Sequence, residues 1–350
     1  MIARWFAVLA CFAGQSSAND TLHLYNWNNY LAPQTVKRFE TECGCKVIQD
    51  YYASMGEMQA KLDAKIKRYD VLVPSAYVIG DLISAGYLQP LDKKQLPQWR
   101  NLQSSWLNPE YDAGNRYTVP YSYTQTVIGY NEAKLKEAGI EVAPSWAMVF
   151  EPGRLAPLKG RVSVLDDSRE VFAAALRYLG YSANDTSEAH WHEAQQVILK
   201  ARPYWAGFDA SNYISRLASG RVWLVLGYSN DIVQAGLKAG DGHVVRALVP
   251  KEGANQSLDS MVIMSNAPRP DLAHRFINFI LEGRNSAELT NLAGASNPNA
   301  AAMPFVNKGL ARDPAVFPDS ATSAKLEGLK PLDARTGRLM ARLWAEIRAR

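Results

Sequence analysis

The stretch Leu22–Ser75 decides the fold; it reads LHLYNWNNYLAPQTVKRFETECGCKVIQDYYASMGEMQAKLDAKIKRYDVLVPS. Short apolar segments typical of strands alternate in it with longer segments typical of helices. The predicted elements are strand Leu22–Tyr25, a helix that begins at Pro33, runs through Phe39 and is stopped by Gly44, strand Lys46–Tyr51, helix Glu57–Ile66 and strand Asp70–Val73. This order of strand, helix, strand, helix and strand predicts βαβ units on a parallel sheet.

A second series of the same kind begins near Arg161. Its predicted elements are strand Val162–Leu165, a helix with apolar residues from Val171 to Leu179, strand Trp223–Gly227 and a helix from Asp231. Between the two series, Thr118–Asn131 contains two aromatic-rich, strand-like pieces that could cross from one lobe to the other, and Val244–Val249 is a candidate return. With 350 residues the chain is near the length at which one hydrophobic core gives way to two, so two α/β lobes are expected.

The composition and the N-terminus restrict the class of protein. A formal net charge of +4, without basic runs interleaved with aromatics, gives no indication of a nucleic-acid partner. Met1–Arg4 is a short positive start, Trp5–Ala13 is apolar, and Ser16-Ser17-Ala18 fits a cleavage site, so residues 1–18 are predicted to be a secretory signal peptide. Cys11 leaves a lipid-anchored alternative open. No later segment offers about 20 consecutive apolar residues for a membrane span.

The two cysteines that follow the signal are Cys43 and Cys45, on either side of Gly44. An oxidising compartment would allow a disulfide, but Cys-Gly-Cys closes a very tight ring. The pattern therefore favours a cysteine at a helix end and a buried cysteine. Two thiols without a nearby histidine are too few ligands for a metal site.

Polar and aromatic residues follow the predicted strands, at the end where ligands bind in open α/β sheets. They are Asn26-Trp27-Asn28-Asn29-Tyr30, Pro74-Ser75-Ala76-Tyr77, Asp166-Asp167-Ser168-Arg169-Glu170, Tyr228-Ser229-Asn230-Asp231, and Asp259, which is expected to begin a strand that continues to Ile263. Carboxylates neutralise an alkylammonium group, and ring faces pack its methylenes and attract its charge. The cluster of Asp166, Asp167 and Glu170 has an equally good alternative role, in which it stabilises a helix N-terminus.

The sequence lacks the motifs of the common enzyme classes. It contains no Gly-x-Gly-x-x-Gly, no phosphate-binding loop and no Gly-x-Ser-x-Gly, and His192-Glu193 does not continue into a zinc-protease motif. We therefore predict no catalytic residues, no cofactor and no metal site.

In these motifs the sequence resembles the periplasmic spermidine/putrescine-binding proteins of bacterial ABC transporters, from about Leu22 to the C-terminus. The motifs are Tyr25-Asn26-Trp27-x-x-Tyr30, Tyr69-Asp70-x-x-Val73-Pro74-Ser75, Val119-Pro120-Tyr121, Ile128-Gly129-Tyr130-Asn131, Arg169-Glu170-Val171-Phe172 and Pro250-Lys251-Glu252-Gly253. The resemblance implies a type II periplasmic-binding fold, in which two α/β lobes joined by a hinge close on a ligand in the cleft between them. It also implies a monomeric periplasmic protein whose partners are a small cationic or ω-amino ligand and an inner-membrane ABC permease.

Carried onto this chain, the resemblance assigns residues 19–127 and 248–293 to the N-terminal lobe and residues 128–247 and 294–350 to the C-terminal lobe. The residues at the family's ligand positions are Trp27, Asn28, Asn29, Tyr30, Ser75, Tyr77, Asp167, Glu170, Tyr228, Asp231 and Asp259. Of these, Glu170, Asp231 and Asp259 are expected to meet an ammonium group, and the aromatic side chains are expected to enclose the rest of the ligand.

The chain departs from the family at four places. Asn29 replaces an acidic residue, Ser257 an aromatic one, Tyr228 the usual tryptophan, and Gly294-Ala295-Ser296 a segment that carries a tyrosine. The leading function is capture of a polyamine for ABC import. The missing acid at Asn29 keeps open a ligand with one amine and one carboxylate, such as a 4- or 5-carbon ω-amino acid. A sensor subunit and a secreted enzyme on the same fold are further alternatives.

Overall fold

The computed structural model describes residues 20–65 and 68–349. The predicted signal peptide, Cys11, Asn19 and the helix end at Ile66 lie outside the described residues. The strands are β1 (Thr21–Trp27), β2 (Lys46–Tyr52), β3 (Val71–Leu72), β4 (Thr118–Asn131), β5 (Val162–Val164), β6 (Trp205–Phe208), β7 (Leu224–Tyr228), β8 (Val245–Leu248), β9 (Ala254–Ile263) and β10 (Leu326–Gly328).

The helices lie in the connections between these strands, except for the last one, which follows β10. They are α1 (Pro33–Cys43), α2 (Met55–Asp63), α3 (Ala76–Ser84), α4 (Glu132–Glu137), α5 (Ala147–Phe150), α6 (Pro152–Leu155), α7 (Ser168–Tyr178), α8 (Glu188–Ala201), α9 (Tyr213–Ala218), α10 (Ser229–Lys238), α11 (Pro270–Ile280), α12 (Gly283–Ala293), α13 (Lys308–Ala311), α14 (Ser320–Ser323) and α15 (Ala334–Arg348). In the described part of the chain, none of them combines the length and apolar character needed to cross a membrane.

The strands form one continuous sheet with a parallel group at each end. Its order is β2-β1-β3-β9-β4-β7-β5-β6, with β10 paired to β9 and β8 paired to β4. Strands β2, β1 and β3 are parallel to one another, and so are β7, β5 and β6. The two βαβ series predicted from the sequence are therefore present, and the α/β class is confirmed.

The two parallel groups are joined by β4 and β9, which we call the crossing strands. Residues 118–125 of β4 pair antiparallel with β9, whereas residues 126–131 pair with β7 and β8. The sequence predicted two strand-like pieces here, but the structure has one continuous strand with a local irregularity between Pro120 and Ser122. The strand therefore belongs to both halves of the sheet, because it changes partners along its length.

Separate hydrophobic clusters pack on the two halves of the sheet. Two lie on opposite faces of the β2-β1-β3 group, and one covers the β7-β5-β6 group. Large buried side chains in these clusters are Tyr25, Phe39, Met58, Trp146, Phe172, Trp191 and Phe276. Leu339, Leu343 and Ile347 attach α15 to the third cluster, while Ala295 packs in one of the first two. The lobe boundaries given above stay a prediction.

Helix α1 shows how local sequence sets an element's ends. Pro33 occupies the first turn, where its missing N–H costs nothing, and Gly44 ends the helix with a left-handed φ of 66°. The helix runs to Cys43 and is stopped at Gly44, as the sequence predicts. Cys43 and Cys45 form a disulfide with a Cα–Cα distance of 5.2 Å. Cys43 ends the helix and Cys45 is buried, as predicted, but the disulfide that the sequence disfavoured is present, because the left-handed Gly44 turns the chain sharply enough to bring the two side chains together.

Candidate ligand-binding cleft

The predicted ligand residues gather around one cavity between the two halves of the sheet, with a volume of about 180 Å³. We call it the interlobe cleft. Ten of the eleven residues line it: Trp27, Asn28, Asn29, Tyr30, Ser75, Tyr77, Glu170, Tyr228, Asp231 and Asp259. The exception is Asp167, whose side chain accepts a hydrogen bond from the backbone N–H of Glu170 at 3.2 Å and caps α7. For Asp167 the structure thus shows the capping geometry that was the alternative to ligand contact.

Asp259 supplies a buried carboxyl group from the middle of β9. It accepts hydrogen bonds from the Tyr30 hydroxyl at 2.7 Å and from the Ser75 hydroxyl at 2.6 Å. Burial raises its pKa to about 6, although both hydrogen bonds act in the opposite direction. The prediction that Asp259 begins a strand was wrong: β9 begins at Ala254, directly after the turn that ends at Gly253. Asp259 therefore does not lie at a strand end as predicted, although its side chain lines the cleft.

Asp231 lies in the first turn of α10, directly after β7. Its carboxyl group accepts hydrogen bonds from the Tyr213 hydroxyl, from the Asn230 amide at 3.1 Å and from the Gln234 amide at 3.3 Å. Burial raises the pKa of Asp231 to about 6, and the Tyr213 hydrogen bond opposes the shift. These neutral donors hold the carboxyl group at the wall of the cleft without neutralising it.

Glu170 lies in the first turn of α7 and is buried. Its Oε2 atom accepts hydrogen bonds from the Thr126 hydroxyl at 2.6 Å and from the Asn255 amide. Burial, followed by the negative charge of Asp167, raises the pKa of Glu170 to about 8. Both hydrogen-bond donors come from the crossing strands, so Glu170 connects α7 to the centre of the sheet.

Among the residues that the structure describes, none of these three carboxyl groups has a cationic partner. Within residues 20–65 and 68–349, no Lys, Arg or His nitrogen forms an ion pair with Glu170, Asp231 or Asp259. A buried charge without a partner is costly, and a bound cation would offset that cost. Across the same residues, no group of three or more Cys, His, Asp or Glu side chains is arranged to hold a metal ion. The three buried carboxyl groups are chemically suited to a cationic ligand.

Aromatic side chains form the remaining walls. Trp27 packs on Tyr52 with a ring-centroid distance of 4.8 Å, and Tyr30 meets Tyr121 edge to face at 5.8 Å. Tyr77, in the first turn of α3, packs against Ala173 of α7, Ala183 and Leu329. Ring faces of this kind pack the methylenes of an alkyl chain and attract an adjacent cation.

Several lining residues were missed by the sequence reasoning. They are Tyr52, Ala53, Thr124, Ala210, Ser211, Ile214 and Gln234. Asn230, in a predicted strand-end segment, and Ser257, at a departure from the family, also line the cleft but were not among the predicted ligand residues. Tyr52 and Ala53 come at the end of β2, so the strand-end argument used for Trp27 would have found them. Ala210 and Ser211 follow β6, which was not predicted as a strand. Thr124 and Ser257 lie within β4 and β9, and no local pattern indicates which residues of a crossing strand face a ligand.

One side of the cleft offers neutral polar groups. Asn28 and Asn29 are exposed in the turn after β1, and Asn29 has a left-handed φ of 56°. Two buried atoms of the wall, the indole nitrogen of Trp27 and the Ser257 hydroxyl, have no hydrogen-bond partner among the described residues. The indole N–H can only donate, so it requires an acceptor from a ligand or from water.

Known proteins resemble this chain along most of its length. The family description that matches residues 34–318 is bacterial extracellular solute-binding protein. A putrescine/cadaverine-binding protein of Pseudomonas aeruginosa is 46% identical over 98% of each chain. The putrescine-binding periplasmic protein PotF of Escherichia coli is 36% identical over 98% of this chain and 95% of PotF.

Among solved structures, the spermidine/putrescine substrate-binding protein PotD of Streptococcus pneumoniae matches with a TM-score of 0.80 and 26% identity. The match covers 94% of this chain and 99% of PotD. It confirms the predicted type II periplasmic-binding fold, and the full-length relatives confirm the resemblance carried by the sequence motifs. The chain belongs to the bacterial extracellular solute-binding protein family.

Proposed function

We propose that this protein captures a linear diamine or polyamine of the putrescine or spermidine type in the interlobe cleft and delivers it to an ABC permease. The observation that carries the proposal is the set of three cleft carboxyl groups, on Glu170, Asp231 and Asp259, without an ion-pair partner among the described residues. An ammonium group would supply the missing charge, and the aromatic walls would pack the methylenes. The names of the two curated relatives, which both include putrescine, support this choice.

A second candidate ligand is an ω-amino acid of four or five carbons. It is favoured by the neutral amides of Asn28 and Asn29 and by the Trp27 indole N–H, which lacks an acceptor. A carboxylate would accept hydrogen bonds from all three groups, whereas an ammonium group cannot accept one from an indole. In this arrangement only one end of the ligand would meet the acids.

A thermal-shift screen separates the two candidates, because a ligand that binds only the native state raises the melting temperature. The ligands are putrescine, cadaverine, spermidine, 4-aminobutyrate and 5-aminovalerate, with 1-aminobutane as a control that lacks the second polar end. We expect the largest shift with a diamine and a small shift with 1-aminobutane. A larger shift with the ω-amino acids would favour the second candidate, and no shift with any of these compounds would contradict the proposed ligand class.

We further propose export to the periplasm with removal of residues 1–18. N-terminal sequencing of secreted protein should begin at Asn19, whereas a chain that begins at a lipid-modified Cys11 would show a membrane anchor instead. Transport is the role we favour over sensing and catalysis. A reconstituted permease should take up labelled putrescine only when this protein is present, and the purified protein alone should leave its ligands chemically unchanged.

A further inference from the structure

Arg169 is a buried arginine in the first turn of α7. It belongs to the motif Arg169-Glu170-Val171-Phe172, but its side chain is not part of the lining of the interlobe cleft. Its guanidinium donates hydrogen bonds to the Ala183 carbonyl at 2.8 Å, to the Asn184 side-chain oxygen at 2.7 Å and to the Lys330 carbonyl at 3.4 Å. A buried guanidinium holds such acceptors in a fixed arrangement, because each acceptor would lose a partner if it moved away.

The Asn184 side chain extends these contacts to the residues at the end of β10. Its oxygen accepts a second hydrogen bond, from the backbone N–H of Lys330 at 2.8 Å, in addition to the one from Arg169. Its amide nitrogen donates to the Gly328 carbonyl at 2.9 Å. Leu329 lies between these two bonded residues, so its backbone is held on both sides.

Tyr77 packs against three apolar residues, Ala173, Ala183 and Leu329, which we call the Tyr77 seat. Helix α3, which carries Tyr77, follows β3, whereas α7, which carries Ala173, follows β5. The contact therefore joins the two parallel groups of the sheet. Because Tyr77 also lines the interlobe cleft, the position of the seat determines the position of one aromatic wall.

Each residue of the Tyr77 seat is connected to Arg169. The carbonyl of Ala183 accepts a hydrogen bond from the guanidinium directly. Leu329 is followed by Lys330, whose carbonyl accepts from the same guanidinium. Ala173 lies one turn further along α7, on the same face of the helix as Arg169. The Arg169 side chain thus bonds to two of the segments that form the seat and shares a helix with the third.

We propose that Arg169 is a positioning residue that builds the Tyr77 seat and, through Tyr77, sets the affinity of the interlobe cleft for its ligand. The effect on affinity rests on the proposed function, whereas the seat is a feature of the ligand-free protein. The three hydrogen bonds require the planar fork of a guanidinium, and a lysine ammonium cannot make all of them. Arg169→Lys is therefore the informative variant, because it keeps the positive charge and removes the arrangement of bonds.

The first test observes Tyr77 in the ligand-free protein by fluorine NMR after labelling with fluorotyrosine. The Tyr77 resonance is assigned by its disappearance in Tyr77→Phe. In Arg169→Lys we expect this resonance to move toward the chemical shift of unfolded fluorotyrosine, because the seat no longer holds the ring. An unchanged Tyr77 resonance in the folded variant would overturn the proposal, whether or not putrescine binds.

Arg38→Lys is the matched control for this substitution. Arg38 also donates to an asparagine side-chain oxygen, that of Asn285 at 2.8 Å, and neither residue is part of the cleft lining. The control should leave the Tyr77 resonance and the affinity for putrescine unchanged.

The second test is a double-mutant cycle measured by calorimetry with putrescine. Arg169→Lys should weaken binding by about tenfold in the wild-type background. In a Tyr77→Ala background it should weaken binding by no more than about twofold, because the seat then has no ring to hold. An equal loss in the two backgrounds would mean that Arg169 acts without Tyr77, for example by loosening the fold, and would overturn the proposal.

Asn184→Ala provides the same test if Arg169→Lys does not fold. Asn184 is only partly buried, and its removal releases Gly328 and Lys330 while Arg169 stays in place. We expect about threefold weaker putrescine binding, again only when Tyr77 is present, and a loss that does not depend on Tyr77 would contradict the proposal. If wild-type protein fails to bind putrescine, the proposed function is wrong, and the fluorine measurement still decides whether Arg169 positions Tyr77.

Discussion

Replacing Asn29 by Asp tests whether the turn after β1 recognises the second end of the ligand. Asn29 is exposed at the edge of the interlobe cleft and has a left-handed φ of 56°. Asp has the same shape and is one of the few residues that tolerate this conformation. The substitution therefore adds a negative charge without adding backbone strain.

The expected size of the effect follows from the exposure of Asn29. Two unit charges about 4 Å apart interact by about 4 kcal/mol near a protein surface and by about 1 kcal/mol in bulk water. Because Asn29 is exposed, we take the lower figure, which corresponds to about fivefold tighter binding of putrescine. The carboxylate of 4-aminobutyrate would be repelled to a similar extent. The ratio of the two affinities should therefore change by about 25-fold in favour of the diamine.

Calorimetry on wild-type protein and Asn29→Asp with both ligands measures this ratio. Asn108→Asp is a matched control, because Asn108 is also exposed and left-handed, with a φ of 60°, and does not line the cleft. The control should leave the ratio unchanged, since it alters only the net charge of the protein. If Asn29→Asp also leaves the ratio unchanged, Asn29 does not contact the second end of the ligand and the reasoning fails.

Four further outcomes are expected. Asp259→Ala should weaken putrescine binding by about 2–5 kcal/mol in calorimetry, whereas Asp241→Ala, at an exposed turn, should have no effect. Because Asp231 and Asp259 have pKa values raised from 3.8 to about 6, the ligand-free protein should lose stability in denaturant titrations as the pH rises from 3.8 to about 6. Protonation of the same two carboxyl groups should weaken putrescine binding by about tenfold for each group when the pH is lowered from 7 to 5. A pH-independent affinity would contradict this expectation. Small-angle scattering should show a smaller radius of gyration with putrescine than without, because residues from both halves of the sheet line the cleft. An unchanged radius of gyration at saturation would indicate that the ligand-free protein is already closed.

The part of the site that follows parallel strands could be predicted from the sequence. Trp27 ends β1, Ser75 and Tyr77 follow β3, and Tyr228 ends β7. The carboxyl ends of parallel strands meet at one edge of a sheet. Residues that follow these strands are therefore close to one another regardless of how the other segments of the chain pair. Local sequence was sufficient in these cases because each strand is short, apolar and bounded by polar residues.

The contribution of the crossing strands could not be predicted in the same way. The side chains of Asp259, Thr124 and Ser257 reach the cleft from the interior of β4 or β9, where no strand end marks them. Their direction depends on the register between segments more than 100 residues apart, such as Ser122 opposite Asp259. A one-residue change in that register would turn each side chain to the opposite face of the sheet. The parallel pairing of β10 with β9 also joins segments that are distant in the sequence.

The hydrogen bonds in the cleft also indicate why its buried carboxyl groups are tolerated without ion-pair partners among the described residues. Each carboxyl group is held by neutral donors, among them Tyr30 and Ser75 for Asp259 and Thr126 for Glu170. Neutral hydrogen bonds fix the position of a carboxyl group but leave its charge available, whereas an arginine or lysine partner would satisfy the charge and exclude a cationic ligand. The ligand-free protein consequently carries a desolvation cost that a cation can offset. Because Asp259 lies on a crossing strand and Asp231 on α10 at the far half of the sheet, a ligand that meets both must span the cleft, and its binding energy is then available to draw the two halves together.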